Sequence, residues 1–494
     1  MNNETAGNTS SGELQGSNGT IYVINSFSFN IKGYTRPFAL IYKAELAVGE
    51  EIIGFENLEK YINEKRQLLY NERVLESVDI EYTISEVRQD GKYPVDLLIH
   101  VTDTWNIIAI PRPQYSSNSG FDITIKARDY NFLGTMSPLR LDIGYSYDEE
   151  GNNSFDLMLD TDIPFRLFDL NWSFNFDHDF SYRPNLSESY YYKNTTGISV
   201  ELPFNNTIFT VGFNESFILN EENARRYRKK YGRFQEGFYL SSNPYISWKI
   251  PTGLYYYDLG EINYTPKLSA TFNHELEQSP LDDHRKGPFF NFSHNLSFGR
   301  IDWIDNFLKG FSASINNSFS YDLYKFNNDD QPWGGSFSLT GSGYKIINSY
   351  FNFSSRLMYR QWFFDDYTDS GGDVIRGVLD NDITANYMLS LNMDFTFKVL
   401  RFLPSVWSGN EKARIIDFDF HVTPFLDVAF YNDHVNQRPF GLENMLIGAG
   451  LEVVIFPLRF RSLFLRVSVA VGIEAARLSR GLSNEIFIGT ELHY

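Results

Sequence analysis

Two textures divide the chain. From about residue 111 onward, apolar and polar residues alternate with period two. Leu463, Leu465, Val467, Val469, Val471 and Ile473 alternate with Phe464, Arg466, Ser468, Ala470, Gly472 and Glu474. Leu170, Trp172, Phe174 and Phe176 alternate with Asn171, Ser173, Asn175 and Asp177, and Phe290, Phe292, Leu296 and Phe298 oppose Asn291, Ser293, Asn295 and Ser297. This spacing predicts strands with one apolar and one polar face. A strand of a large soluble β-protein alternates as well. Two features favour a membrane barrel instead. The runs often reach about ten residues, against the roughly five or six usual in globular sheets. Their polar face is Ser, Asn, Gly and Thr with scattered charges, as a wet lumen requires.

The connections alternate too. Short turns such as Asn205-Asn206 and residues 251–253 trade with long polar stretches at 220–230, 277–286 and 327–335. Barrels of the outer-membrane type place short turns on one side and long loops on the other. The pattern predicts 16–18 strands, taken as about 16.

Residues 21–110 read differently. Residues 21–31 are strand-like and Gly33 turns the chain. Residues 38–46 and 55–70 carry apolar residues at helical spacing, the second with Leu58, Tyr61, Ile62, Leu68 and Leu69 among charges. Residues 74–84 and 95–101 alternate as strands around a turn at Asp90-Gly91. The order strand, helix, helix, strand, strand predicts a small α+β unit. Residues 1–20, rich in Asn, Ser, Gly and Thr, read as a disordered tail or linker. The expected organisation is therefore a tail over 1–20, an α+β domain over 21–110 and a barrel over 111–494.

Composition sharpens this picture. Mean hydropathy is −0.32 although 42% of residues are hydrophobic. No stretch approaches the roughly 18–20 continuous apolar residues of a transmembrane helix, which excludes a helical membrane protein and leaves a barrel open. Aromatics reach 17%, with 44 Phe and 32 Tyr, the supply that interfacial girdles need. Cysteine is absent, so disulfides, zinc–thiolate sites and cysteine nucleophiles are excluded together. The net charge of −19 argues against a nucleic-acid partner. Met1 is followed by Asn2, Asn3 and Glu4 with no basic start or apolar core. The expectation is a mature form carrying an added Met, or a chain whose upstream sequence has been removed.

Enzyme signatures are missing from the sequence: no His-Glu-x-x-His, no P-loop, no Gly-x-Ser-x-Gly. No catalytic residue, cofactor or metal is expected. Asp365, Asp366, Asp369 and Asp373 lie together. They could offer oxygen ligands to Ca²⁺, but a solvated acidic loop is preferred.

Five groups of short stretches, several of them in more than one piece, resemble the BamA/TamA superfamily of outer-membrane proteins, the bacterial surface antigen type. Gly33, Gly49-Glu50-Glu51, Leu69-Tyr70-Asn71 and the run Val95-Asp96-Leu97-Leu98-Ile99-His100-Val101 resemble the landmarks of its periplasmic POTRA domain. Asp129-Tyr130-Asn131-Phe132-Leu133-Gly134 resembles its first tight barrel turn. Asp373-Val374-Ile375-Arg376-Gly377-Val378 resembles its Arg-Gly motif, borne on a long loop that folds back into the barrel; Val378 stands where the family usually has an aromatic. Asp394 and Asp427 resemble the acids that the family pairs with this arginine, Asp394 standing where Glu is frequent. An isolated Arg-Gly would otherwise read as an ordinary exposed loop. The C-terminus, with Gly489, Leu492 and Tyr494, resembles an outer-membrane β-signal.

The resemblance implies a transmembrane antiparallel β-barrel preceded by one POTRA domain in the periplasm. It implies cofactor-independent insertion of proteins into, or translocation of polypeptides across, the bacterial outer membrane. The implied lumen motif is Ile375, Arg376, Gly377 and Val378, and the implied partners are outer-membrane lipids, client polypeptides and accessory assembly proteins. In the family such domains receive clients by pairing a client strand with a sheet edge, though a rigid spacer is the simpler role. A dedicated secretion pore for one partner, a passive channel and a surface adhesin remain alternatives. The assignment predicts that Arg376→Ala does more harm than a loop substitution such as Arg225→Ala.

Overall fold

In a computed structural model, the chain divides into two compact units, residues 1–103 and 104–494. The structure describes residues 19–86, 88, 91–116, 120–147, 153–184, 190–220, 237–256, 260–276, 281, 283–363, 369–370, 374–378, 384–432, 439–474 and 483–489. Residues 1–18 of the expected tail, and Asp90 of the expected turn, lie outside that set.

The first unit runs β1 (Ile21–Lys32), α1 (Pro37–Lys43), β2 (Glu51–Ile53), α2 (Phe55–Asn71), β3 (Leu75–Ile84) and β4 (Tyr93–Asp103). The sheet order is β2-β1-β4-β3, with β1 and β4 parallel. β2 is an element the sequence pattern missed. Three residues are too few to show a period, and it exists only because Ile21, Tyr22 and Val23 offer it an edge. α2 turns Leu58, Ile62 and Leu69 inward, and central β4 buries Val95, Leu97, Ile99 and Val101. Each such side chain contributes about 1.5–3 kcal/mol when fully buried. Gly33 takes φ +146°, and a Cβ there would lie 2.3 Å from the Asp103 carboxyl. That closeness lets Asp103 accept hydrogen bonds from Tyr34 N (2.7 Å), Thr35 N (3.0 Å) and Thr35 Oγ1 (2.7 Å), fixing the exit of β1 against the end of β4.

The second unit is a closed antiparallel transmembrane barrel of eighteen strands, the upper end of the expected range. Its first strands are β5 (Ile107–Ser116), β6 (Gly120–Asp129), β7 (Leu139–Tyr147), β8 (Asn153–Leu167), β9 (Leu170–Tyr182) and β10 (Tyr190–Phe204). Then come β11 (Thr207–Leu219), β12 (Phe238–Tyr256), β13 (Gly260–Glu275), β14 (Phe289–Ile304), β15 (Phe307–Asp322), β16 (Trp333–Asn348) and β17 (Phe351–Phe363). A two-residue pair, β18 (Asp369–Ser370) and β19 (Thr384–Ala385), stands apart from the wall. The wall resumes with β20 (Tyr387–Phe402), β21 (Phe418–Tyr431), β22 (Met445–Pro457), β23 (Leu465–Glu474) and β24 (Ser483–Gly489), which neighbours β5.

Period two sorts the side chains by face. On β23, Leu465, Val467 and Val469 are exposed outward while Arg466, Ser468 and Ala470 are buried. Phe290, Phe292 and Leu296 likewise point out from β14. Among the described residues no helix is long and apolar enough to cross a membrane.

Three expectations about turns need correction. Residues 251–253 do not reverse the chain. They lie inside β12, which continues to Tyr256 with an irregular register between Pro251 and Tyr255. Pro251 removes a donor and Gly253 takes φ +75°, which suits a bulge as well as a turn. Gly334 and Gly335 belong to β16 rather than to the loop before it. Residues 129–134 are the start of a longer connection, since β7 begins only at Leu139, with Asn131 accepting a hydrogen bond from Met136 N at 2.9 Å. By contrast, Asn205 and Asn206 form a two-residue turn between β10 and β11.

Candidate functional site

The inner wall formed by β20 to β24 holds the motif that the sequence singled out. Asn392 on β20 sits opposite Asp427 on β21, and Asp394 opposite Phe425. All four face inward, so the two aspartates are diagonal neighbours with an aromatic ring beside them. Residues 374–378 lie against this patch and are buried.

Arg376 reaches both acids. Its Nε donates to Asp427 Oδ2 at 2.8 Å and its Nη2 to Asp427 Oδ1 at 2.7 Å, a two-pronged fork. Nη2 also donates to Asp394 Oδ1 at 2.7 Å. Backbone N of Arg376 donates to Asp427 Oδ2 at 3.1 Å. The guanidinium carbon lies 3.6 Å from the centroid of the Phe425 ring, so an aromatic face covers the cation. Arg376 is 4% exposed and Asp427 0%. An ion taken from water at such depth needs counter-charge and hydrogen bonds, and this geometry supplies two carboxylates that accept from Nε and Nη2.

Glycines explain why the backbone fits. Gly448 on β22 pairs with Asp427, and Gly472 on β23 pairs with Gly448. Gly450 pairs with Phe425, and Ala470 with Gly450. Small residues at consecutive inward positions leave a groove across β22 and β23. A Cβ on Gly448 would lie 2.0 Å from the carbonyl oxygen of Arg376. Gly377 has φ +86°, and a Cβ there would lie 2.7 Å from the Val471 backbone. The tip therefore has glycine on both sides of its contact with the wall. At the far end of the groove, Gly377 N donates to Glu485 Oε2 on β24 at 2.7 Å. Asn392 Nδ2 donates to Val374 O at 2.9 Å. Val374, Ile375 and Val378 join Met358, Ala385, Met388, Ala429, Tyr431 and Leu446 in one apolar cluster above the charged patch. Five residues of loop thus touch β20, β21, β22, β23 and β24.

Two further charged groups occupy the same face of the lumen. Arg466 Nη1 lies 3.3 Å from Glu452 Oε2, both buried. Towards the short-turn end, the turn between β14 and β15 reaches across β16 and β17 to β20 and β21. Asn306 Nδ2 donates to Asp419 Oδ2 at 3.0 Å, and Lys398 Nζ lies 2.7 Å from Asp305 Oδ2. Arg401 grips Asp419 with Nε to Oδ1 and Nη2 to Oδ2, each at 2.7 Å, and also contacts Asp305. Phe307 is buried with its ring 5.0 Å from His421. For Asp305, in the turn itself, burial pushes the carboxyl up, but the hydrogen bonds from Lys398 and Arg401 outweigh it and hold the group below its ordinary value. A cavity lined by Tyr344, Asp394, His421, Glu452 and Phe456 separates this turn from the Arg376 patch.

The structure thus brings together Ile375, Arg376, Gly377, Val378, Asp394 and Asp427. Gly489 is the last residue of β24 and pairs with Arg466, whereas Leu492 and Tyr494 lie outside the described residues. Asp365, Asp366 and Asp373 lie outside them too, and the described residues hold no group of acids or histidines arranged for a metal. Sequence reasoning missed Glu485, Gly448, Gly450 and Gly472, the Arg466–Glu452 pair and the whole Asp305 cluster. The glycines did leave a signal, since they recur at period two on the polar face of β22.

No protein-family model matches the sequence, and no curated protein matches it. Among solved structures the chain is similar to CdiB from Acinetobacter baumannii, with 12% identity, 95% of this chain and 74% of that one covered, and a TM-score of 0.46. It is also similar to CdiB from Escherichia coli, at 10% identity, 98% and 92% coverage and a TM-score of 0.42. BamA from Haemophilus ducreyi lacking POTRA domains 1-3 aligns at 14% identity, 94% and 83% coverage and a TM-score of 0.36.

Proposed function

We propose that this protein is an outer-membrane barrel of the BamA/TamA kind that inserts or translocates polypeptides without a nucleotide or cofactor. In this reading residues 21–103 form a POTRA domain in the periplasm, and β3, at one edge of its sheet, is the edge that can accept a client strand.

The observation that carries the reading is the reach of the Arg376 tip. It bonds to β20 and β21, packs closely on β22 and β23, and ends on β24 through Glu485, and β24 is the strand that meets β5 to close the barrel. One side of that closure is braced from within. The other side is poorly equipped for a regular ladder. Pro111 and Pro113 on β5 have no N–H to give, which is the composition of an edge strand. Arg112, between them, donates from Nε to the Ile488 carbonyl of β24 at 3.0 Å. A side chain there occupies an acceptor that a backbone donor would otherwise use. A barrel held firmly on one side of a weak seam has an edge that a client strand can pair with.

The test is depletion of the protein in its native cell with quantitative proteomics of the outer membrane, complemented by wild type or Arg376→Ala. A broad fall in other barrel proteins, rescued by wild type and poorly by Arg376→Ala, is expected of an insertase. Loss of one exported protein assigns a dedicated secretion pore. An unchanged outer-membrane proteome overturns the reading in favour of a passive channel or adhesin.

A further inference from the structure

The connection between β20 and β21, residues 403–417, differs from its neighbours at the short-turn end. The turns between β8 and β9, β10 and β11, β14 and β15, and β16 and β17 are two residues each. This connection instead folds into a short helix, α3 (Pro404–Ser408), and a 3-10 turn, Glu411–Ile416. Its backbone is well fixed. Ser408 Oγ donates to Pro404 O at 2.7 Å, Asn410 accepts from Lys412 N at 3.0 Å, and buried Asp417 accepts from Ser405 N at 3.1 Å and from the Ser405 hydroxyl. Gly409 supplies the left-handed residue that ends the helix.

Several of its polar atoms bond within the connection, and beside exposed polar residues it presents a row of exposed apolar side chains. Val406 is 69% exposed and Trp407 66%, and Ile415 and Ile416 are more than half exposed. These side chains continue the outward face of the wall. On β20, Phe395, Phe397, Val399 and Leu400 point outward, the last two at an irregularity in the register with β21. Aromatic contacts bridge wall and connection: Phe402 meets Trp407 edge-on at 5.0 Å and Phe418 at 5.2 Å. Lys412 and Arg414 flank the apolar row, with Glu411 beside them.

We propose that residues 403–417 form an interfacial anchor that lies in the boundary between lipid headgroups and acyl chains at the short-turn end of the barrel. A surface continuous with the lipid-facing band, ending in a tryptophan and bordered by cations, has the composition of an element that lies in the membrane plane. The side chains would sink about 5–10 Å into the boundary. The anchor needs only that the barrel spans a membrane, and stands whatever the barrel transports.

The chain has no cysteine, so any cysteine introduced is unique. Full-length Val406→Cys and Ile415→Cys, each labelled with an environment-sensitive fluorophore, are reconstituted in phosphatidylcholine–phosphatidylglycerol vesicles. Val399→Cys serves as a wall reference and Tyr34→Cys as an aqueous one, and a heat-modifiable gel shift verifies folding of each. The expected result is quenching by brominated lipid comparable with Val399→Cys, and iodide quenching about threefold weaker than for Tyr34→Cys. Iodide quenching equal to that of Tyr34→Cys overturns the proposal. So does protection from iodide without quenching by brominated lipid, which would mean that protein covers the face.

Discussion

Replacing Arg376 by alanine removes the cation from a site where two carboxylates remain. Three charge-assisted hydrogen bonds at 2.7–2.8 Å and the contact with Phe425 are lost together. Asp427, fully buried, is left without its fork, and breaking a buried pair in this way costs about 3–5 kcal/mol. An exposed arginine sets the baseline. Arg166 faces Asp169 at 3.6 Å with half its side chain in solvent, and such pairs contribute about 0–1 kcal/mol. Denaturant unfolding of the purified barrel in detergent micelles should therefore show a much larger loss for Arg376→Ala than for Arg166→Ala. Arg376→Lys should fall between them, since it keeps the charge and loses the fork. The triple variant Arg376→Met, Asp394→Asn, Asp427→Asn should recover part of the loss, because no bare charge stays buried. Losses for Arg376→Ala and Arg166→Ala that agree within about 0.5 kcal/mol would refute the reasoning. So would a triple variant as unstable as the sum of its parts.

Gly448→Ala should displace the tip without touching a charged group, because its Cβ would meet the Arg376 carbonyl at 2.0 Å; a penalty of about 1–3 kcal/mol is expected, whereas Gly341→Ala, with nothing within 4 Å, should be silent in the same unfolding assay. Asp305 gives a pH signature. Its folded pKa is depressed, so its contribution is complete above the unfolded carboxyl value of about 4 and is lost as pH falls through the folded pKa. Thermal midpoints followed from neutral pH into that acid range should fall less steeply for Asp305→Asn than for wild type. In the first unit, Asp103→Ala removes the acceptor for Tyr34 N, Thr35 N and Thr35 Oγ1 and should cost that unit about 1–3 kcal/mol, read as earlier unfolding of its helices by circular dichroism.

Much of the fold was legible because strand periodicity is local. Whether Val467 faces lipid and Arg466 the lumen depends only on the residues two places away. The α2 pattern of Leu58, Tyr61, Ile62 and Leu69 was legible for the same reason. Misreadings occurred where a local signal had two meanings. Proline and glycine at 251–253 serve a bulge as readily as a turn, and only pairing with β13 separates the two. The first barrel strand begins at Ile107, a few residues ahead of the expected boundary, because a single strand edge carries no composition change.

The candidate site divides the same way. By itself the sequence determined which residues could serve: an Arg-Gly pair in a long loop, and aspartates on the polar faces of two later strands. The tertiary structure alone decided that they meet. Arg376 is 18 residues from Asp394, 51 from Asp427, and its neighbour Gly377 is 108 from Glu485. Asp305 reaches Lys398 over 93 residues and two intervening strands. Such contacts exist because closing the barrel sets the register of every strand against its neighbours and turns one face of each towards a common interior. Alternation chooses the face, and closure chooses the partner.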